Sequence, residues 1–157
     1  MANTTATRPT PAIALRAMQR ADLEQILAIE RTSFPSPWPR SAFELAIAAS
    51  DLLSVVAYTH AVLGYIIACP DVNDLLIANV AVHRRARRHG LGRRLLDLAI
   101  GRARELHLTS CKLDVRMSNE AAQRLYDRIG FEPHSILPGY YQNPAEDALH
   151  MRLALDR

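Results

Sequence analysis

Apolar positions change their spacing several times along the chain, and each change predicts an element. Residues 12–18 alternate weakly and predict a first strand; over 21–31, Leu23, Ile26, Leu27 and Ile29 recur at helical spacing. A proline-locked loop at 34–39 (FPSPWP) breaks that pattern. Ser41 and Glu44 then have the spacing of a capping box, which predicts a second helix to about Ala49. Residues 52–58 and 62–69 read as strands joined by a tight turn at 59–61, and 70–74 leads into an apolar strand over 75–82. Leu91, Leu95, Leu98, Ala99 and Leu106 predict a long helix. A short strand at 112–115, a helix over 119–129 stopped by Gly130, and two strands near 131–141 and 148–155 complete the chain.

The order β-α-α-β-β-β-α-β-α-β-β holds seven strands and four helices and predicts an α+β fold. The strand ending at Val82, the helix after it and the strand at 112–115 form a crossover unit, so those two strands are expected side by side and parallel. The remaining strands are hairpin-connected, which makes the sheet mixed and mostly antiparallel. A doubly wound dinucleotide fold is disfavoured, because no GxGxxG follows the first strand and no acidic residue ends a second strand about 20 residues later.

At 157 residues and 49% hydrophobic composition, one domain over 12–157 is expected, preceded by a disordered tail at 1–11. The tail lacks the apolar core of a signal peptide, and no apolar run is long enough to span a bilayer. Cys69 and Cys111 show no metal-ligand spacing, which argues against a metal site and a disulfide framework and for a reduced, cytoplasmic protein. Cys111 also lacks an adjacent base, which disfavours a covalent intermediate.

The net charge of +3 arises mostly between residues 83 and 94, HRRARRHGLGRR. Inside this run, Arg87, Arg88, His89, Gly90, Leu91 and Gly92 spell RxxGxG between the predicted strand and the long helix. A glycine-rich turn opening a helix presents free backbone N–H groups and the positive end of the helix dipole, which suits a phosphate or pyrophosphate. A solvated basic face and a nucleic-acid footprint are the competing readings of the same arginines.

Residues 80–96 (VAVHRRARRHGLGRRLL) and 113–131 (LDVRMSNEAAQRLYDRIGF) resemble the coenzyme A core of the GNAT superfamily of N-acetyltransferases. Within it, residues 34–39, 116–131 and 139–153 (GYYQNPAEDALHMRL) are similar to the bacterial ribosomal-protein-alanine N-acetyltransferases. The resemblance implies a parallel strand pair splayed around acetyl-CoA as co-substrate. It implies that the pyrophosphate lies on Arg87, Arg88, His89, Gly90, Leu91 and Gly92 with Arg93 beside it. The pantetheine arm would pair with Val80, Ala81 and Val82, the Val82 N–H facing the thioester oxygen.

Tyr126 matches the family's tyrosine and is implied as general acid for the departing thiolate; an ordinary phenol, with a pKa of about 10, is close to a thiol. A core tyrosine is the alternative. Asn119 is implied to bond the coenzyme arm while it caps its helix. The base position, twelve residues before Tyr126, holds Asp114 where the family has glutamate. Aspartate keeps the carboxylate but shortens its reach by about 1.5 Å, which leaves open whether it takes the amine proton directly or through an ordered water. An ion pair of Asp114 with Arg116 is the structural alternative, and Glu30 and His83 are weaker candidates for the base.

Trp38, Tyr140 and Tyr141 are expected to wall the acceptor groove, with core packing as the alternative, and Glu146 and Asp147 to attract a cationic amino terminus. The implied activity is direct acetylation of a protein N-terminal α-amine, an alanine of a ribosomal protein. Acetylation of a lysine or small-molecule amine, a non-catalytic coenzyme A sensor and an RNA-docking module are the other readings. Arg84, Arg85 and Arg94 are surplus to a pyrophosphate grip and unexplained by it; contact with ribosomal RNA is the use to test for them.

Overall fold

The computed structural model describes residues 11–156, and most of the expected tail, residues 1–10, lies outside them. Seven strands, β1 (Ala14–Ala17), β2 (Leu53–Tyr58), β3 (Val62–Asp71), β4 (Asp74–Val82), β5 (Ser110–Arg116), β6 (Glu132–Tyr141) and β7 (Glu146–Ala154), form one sheet in the order β1-β2-β3-β4-β5-β7-β6. Four helices cover it: α1 (Leu23–Ser33), α2 (Arg40–Ala48), α3 (Leu91–Glu105) and α4 (Glu120–Ile129). Element order and the mixed sheet agree with the sequence reading.

Two cores lie on opposite faces of the sheet. Leu91, Leu95, Leu96, Ala99, Ile100 and Ala103 of α3 pack with Ile66, Leu75, Leu113 and Val115. Leu23, Ile26, Leu27 and Ile29 of α1 and Phe43 of α2 pack with Val56, Tyr65 and Ile67 on the other face. The helical periodicity of α1 and α3 thus reflects sheet-facing stripes.

The second helix begins differently from the sequence expectation. Its N-cap is Pro39, without a side-chain cap, and Ser41 lies inside the helix, so the expected Ser41/Glu44 capping box does not form. Glu44 instead bonds Arg40 at 3.1 Å. With Pro39 in extended geometry at φ −72°, the helix begins at Arg40, one residue before Ser41, so the Ser41 hydroxyl is not at the cap position. A capping box does occur earlier, where Gln19 and Asp22 bracket a short 3₁₀ turn ahead of α1.

Two irregularities open the centre of the sheet. β4 and β5 are parallel but pair only at Asp74↔Ser110, Leu75↔Cys111 and Leu76↔Lys112. From there β5 continues against β7 through Arg116, while β4 stays with β3. On β4, Asn79 faces Ile67 and Ile77 faces Ala68, leaving Ala78 as a bulged residue. A bulge inserts one residue into the alternation and reverses which face its neighbours occupy. Leu75 and Ile77 therefore belong to the α3 core, whereas Ala81 belongs to the α1 core.

Candidate active site

The splay between β4 and β5 forms a cleft of about 370 Å³. Ala78, Asn79 and Val80 line one side, and Leu113, Asp114, Val115 and Arg116 the other. Phe34, Ser36 and Trp38 from the α1–α2 loop, Asn119 and Tyr126 from α4, and Tyr141 complete it. A larger hollow of about 500 Å³, beside Asp51, Pro70, Leu98 and Glu105 at the other end of the sheet, contains none of the candidate residues.

The backbone on the β4 side is available except at Val82 O, which accepts from Arg87 Nε. His83 N–H donates to Leu63 O at 2.7 Å, so alternation along the strand turns the polar groups of Ala81 toward β3 and those of Val82 and Val80 toward the opening. The turn that follows carries Arg88 and Gly90 at φ 65° and 77°, and Gly90 is the N-cap of α3. The first intrahelical bond runs from Arg94 N–H to Gly90 O at 3.0 Å, so the N–H groups of Leu91, Gly92 and Arg93 precede the helical ladder, as at any helix start. A Cβ on Gly90 would meet nothing within 4 Å, whereas one on Gly92 would lie 3.1 Å from Leu125 Cδ2. Gly92 lets α3 and α4 approach, and the side-chain position of Gly90 at the helix start is open.

The arginines separate into different jobs. Arg87, itself exposed, folds back along the surface, with Nε 2.9 Å from Val82 O and Nη2 3.2 Å from Ser33 Oγ, which ties the turn to the end of β4 and to α1. Arg94 donates to Ile13 O at 3.2 Å, and Arg93 lies 3.8 Å from Asp97. Arg84, Arg85, Arg88 and His89 are exposed. His83, a weaker base candidate, accepts a bond from Arg85 N–H on Nδ1 at 3.1 Å and caps a 3₁₀ turn.

Glu30, the other weak candidate, is 1% exposed and bonded from three directions. Its Oε1 accepts from Trp38 N–H at 2.9 Å; its Oε2 accepts from Asn79 Nδ2 at 3.0 Å and from the Tyr65 hydroxyl. Burial, with the Glu30 carboxylate beside it, raises the Tyr65 phenol far above its ordinary range. These bonds lock the Trp38 loop to the bulge. Trp38 itself packs on Phe43, with ring centroids 5.5 Å apart, and still lines the cleft.

Asp114 lines the cleft from β5, but its ion partner is not Arg116. Asp114 Oδ1 lies 2.6 Å from Nδ1 of His150, directly opposite on β7. Arg116, 9% exposed, bonds Glu146, Pro144 O and Gln142 O and lies 4.4 Å above the Tyr141 ring. The Ser118 hydroxyl, first, then the Ser118 N–H and Arg116 hold the Glu146 carboxyl below the usual carboxylate range. Ser36 Oγ donates to Gln142 O and Asn143 O at 2.9 and 3.0 Å, so the α1–α2 and β6–β7 loops close over the cleft together. Asp147 accepts from Gly139 N–H at 2.8 Å rather than standing free.

Tyr126 is 8% exposed and packs on Phe131 at 5.9 Å while facing the cleft, so the core and site readings both describe it. Burial, then Tyr141, pushes its phenol up to about 12. Tyr141 is pushed up to about 12 by burial, then by Asp114; Tyr140 is raised by the same two causes. Tyr140 is 54% exposed and stacks edge-on against Tyr141 at 5.0 Å, outside the cleft lining. Asn119 Oδ1 accepts from Ala122 N–H at 3.2 Å, the expected cap, which leaves its amide nitrogen for other partners. Cys111 is buried and its thiol pushed up to about 11 by desolvation, which makes a poor nucleophile.

The sequence reading missed His150, the Glu30–Tyr65–Asn79 network and the Arg116–Glu146 clamp. No local pattern marks His150; only strand register brings it to Asp114. Among the described residues no group of three or more metal-binding side chains converges, and no helix is long and apolar enough to cross a membrane.

Residues 23–131 match the acetyltransferase (GNAT) family. A Bacillus subtilis protein provisionally named a [ribosomal protein bS18]-alanine N-acetyltransferase is 32% identical over 145 residues, 91% of this chain and 96% of that protein. The enzyme of that name from Salmonella typhimurium is 30% identical over 149 residues, covering 88% of this chain and 95% of its own. The crystal structure of the Escherichia coli ribosomal-protein-S18-alanine N-acetyltransferase matches with a TM-score of 0.83 at 26% identity, over 93% of this chain and 96% of that one. That of Ard1 from Thermoplasma volcanium matches with a TM-score of 0.86 at 26% identity, over 93% and 99%. With its splayed parallel pair and glycine-opened helix, the chain belongs to the GNAT family of acetyltransferases and is an N-acetyltransferase.

Proposed function

We propose that the protein transfers an acetyl group from acetyl-CoA directly to the N-terminal α-amine of a protein, an alanine of a ribosomal protein. The observation that carries this reading is the meeting of Asp114, Asn119 and Tyr126 in one cleft, flanked by the open backbone of β4. The site fits the co-substrate. The open side-chain position of Gly90 and the free N–H groups of Leu91, Gly92 and Arg93 suit a pyrophosphate, with Arg88 and His89 exposed beside them. Val80 and the N–H of Val82, whose carbonyl is held by Arg87, offer strand-like pairing to an amide-bearing arm, and Asn119 can bond the same arm. When bound, acetyl-CoA supplies the activated thioester.

Asp114 then takes the proton from the incoming ammonium, the Val82 N–H stabilises the charge that develops on the carbonyl oxygen, and Tyr126 protonates the departing sulfur. A phenol near 12 is a weak acid for an ordinary thiol, but the same burial that raises Tyr126 raises a thiolate expelled beside it, as Cys111 illustrates. Arg87 serves as a brace rather than an anion ligand. Trp38 and Tyr141 wall the acceptor side and Tyr140 extends that wall outward. The acceptor assignment draws on the named relatives, which span nearly the whole chain. Arg84 and Arg85 remain available for an RNA-rich substrate; Arg94 is occupied by Ile13.

The test is a panel of peptides that differ only in the first residue, incubated with the protein and acetyl-CoA and read as initial rates of thiol release. The highest kcat/KM is expected for amino-terminal alanine; equal rates for all first residues, or none above background, overturn the assignment.

A further inference from the structure

Asp114 and His150 form a pair across the β5–β7 ladder that the acetyl-transfer reading does not by itself require. They are register partners, with side chains on the same face and Oδ1 2.6 Å from Nδ1. Asp114 lines the cleft and His150 does not, so the imidazole stands behind the carboxylate. Other charges on that face are engaged elsewhere. Lys112 bonds Asp71 and lies 3.7 Å from Asp74, Arg152 bonds Ser110 and Asp74, and Arg116 bonds Glu146. His134 on β6, exposed, stacks edge-on to His150 at 5.7 Å, and Tyr140 and Tyr141 lie within the field of Asp114.

Building on the acetyltransferase reading, we propose that His150 is a positioning residue that holds the short carboxylate of Asp114 as the base. A carboxylate has no proton to give, so Nδ1–H donates to Oδ1, and Oδ2, the oxygen His150 does not engage, takes the amine proton. An aspartate without this partner would sample several rotamers and waste its reduced reach. The charge-assisted bond holds it in one orientation. The proton balance is complete. The incoming ammonium gives one proton to Oδ2, the N–H bonding pair becomes the nucleophilic lone pair, and the neutral carboxyl later returns that proton to water. The nitrogen's second proton is shed as the amide forms and replaces the one Tyr126 gives to sulfur. Ammonium plus thioester thus become amide, thiol and one released proton.

The experiment uses the full-length protein and two variants, with ¹⁵N spectroscopy of the imidazoles. His150→Leu removes the donor and is expected to lower kcat about 10- to 100-fold, with KM for acetyl-CoA within twofold. His150→Asn places an amide N–H where Nδ1 stood and is expected to restore kcat to within about threefold of wild type. In the wild type the neutral His150 ring is expected as the Nδ1–H tautomer, and this preference is lost in Asp114→Ala. Wild-type kcat in His150→Leu, no recovery in His150→Asn, or an Nε2–H tautomer in the wild type overturns the proposal. Should the wild type acetylate no amino-terminal peptide, the acceptor assignment falls separately and the tautomer still decides the pair.

Discussion

The side-chain amide of Asn79 donates to Oε2 of Glu30 across 3.0 Å, and so joins α1 to the bulged part of β4. The same carboxyl group holds the Trp38 backbone from the other side. One buried side chain therefore sets both the floor and one wall of the cleft. Glu30→Gln would face one of these donors with an N–H of its own, and an unmet buried donor costs roughly 1–3 kcal/mol. A loss of that size in urea denaturation is expected, with a red shift in the fluorescence of Trp38, the single tryptophan of the chain.

Two glycines of the turn should respond differently. Alanine at Gly90 must adopt φ near 77°, a left-handed conformation that costs about 1–2 kcal/mol outside glycine, yet its Cβ meets nothing. Alanine at Gly92 keeps an ordinary helical backbone but presses on Leu125. Gly90→Ala is expected to cost stability and Gly92→Ala to displace the first turn of α3, raising KM for acetyl-CoA about tenfold while the acceptor KM stays within twofold. Thermal melting and initial-rate kinetics separate the two.

Much of this architecture was legible beforehand because it is written in local periodicity and in one turn. The α1 and α3 stripes, the crossover unit and the glycine-opened helix all depend on residues close in sequence. The Asn119 cap was legible for the same reason. The bulge at Ala78 was not, since it appears only when β4 is laid against β3. Nor could sequence show that Arg87 folds back onto Val82 and Ser33, or that Asp114 meets His150 rather than Arg116. Arg116 is only two residues from Asp114, but Glu146 and the β6–β7 loop claim it.

Tyr126 should show its burial in the pH dependence. A phenol pushed up to about 12 stays protonated, and so competent as an acid, throughout the range in which the protein is assayed. The kcat profile is therefore expected to show no descending limb from Tyr126 below about pH 11. Tyr126→Phe should lower kcat about 100-fold with little change in KM.

Asp22 should contribute to acid unfolding. Its carboxyl group is held below the ordinary range, first by Arg16 and also by the Gln19 N–H. A depressed folded-state value means that this stabilisation is complete above the unfolded pKa of about 3.9 and disappears as pH falls through the lower, folded value. Asp22→Asn is expected to flatten the fall in stability below about pH 4 and to cost roughly 2 kcal/mol at neutral pH, both measured by urea midpoints.

Arg94→Ala and Arg88→Ala divide the basic run by function. Arg94 makes an exposed bond to Ile13 O, so its loss should cost under about 1 kcal/mol and leave acetyl-CoA affinity unchanged. Arg88 stands beside the free N–H groups, and its loss should weaken acetyl-CoA binding several-fold, more at low salt than at high. Calorimetric titration distinguishes them.

The most direct measurement uses one peptide that carries both an amino-terminal alanine and an internal lysine, incubated with the protein and acetyl-CoA and sequenced by fragment mass spectrometry. A single acetyl group on the alanine α-amine, lost in Asp114→Asn and Tyr126→Phe, is the predicted result. An acetyl group confined to the lysine side chain, or one equally abundant in both variants, contradicts the account.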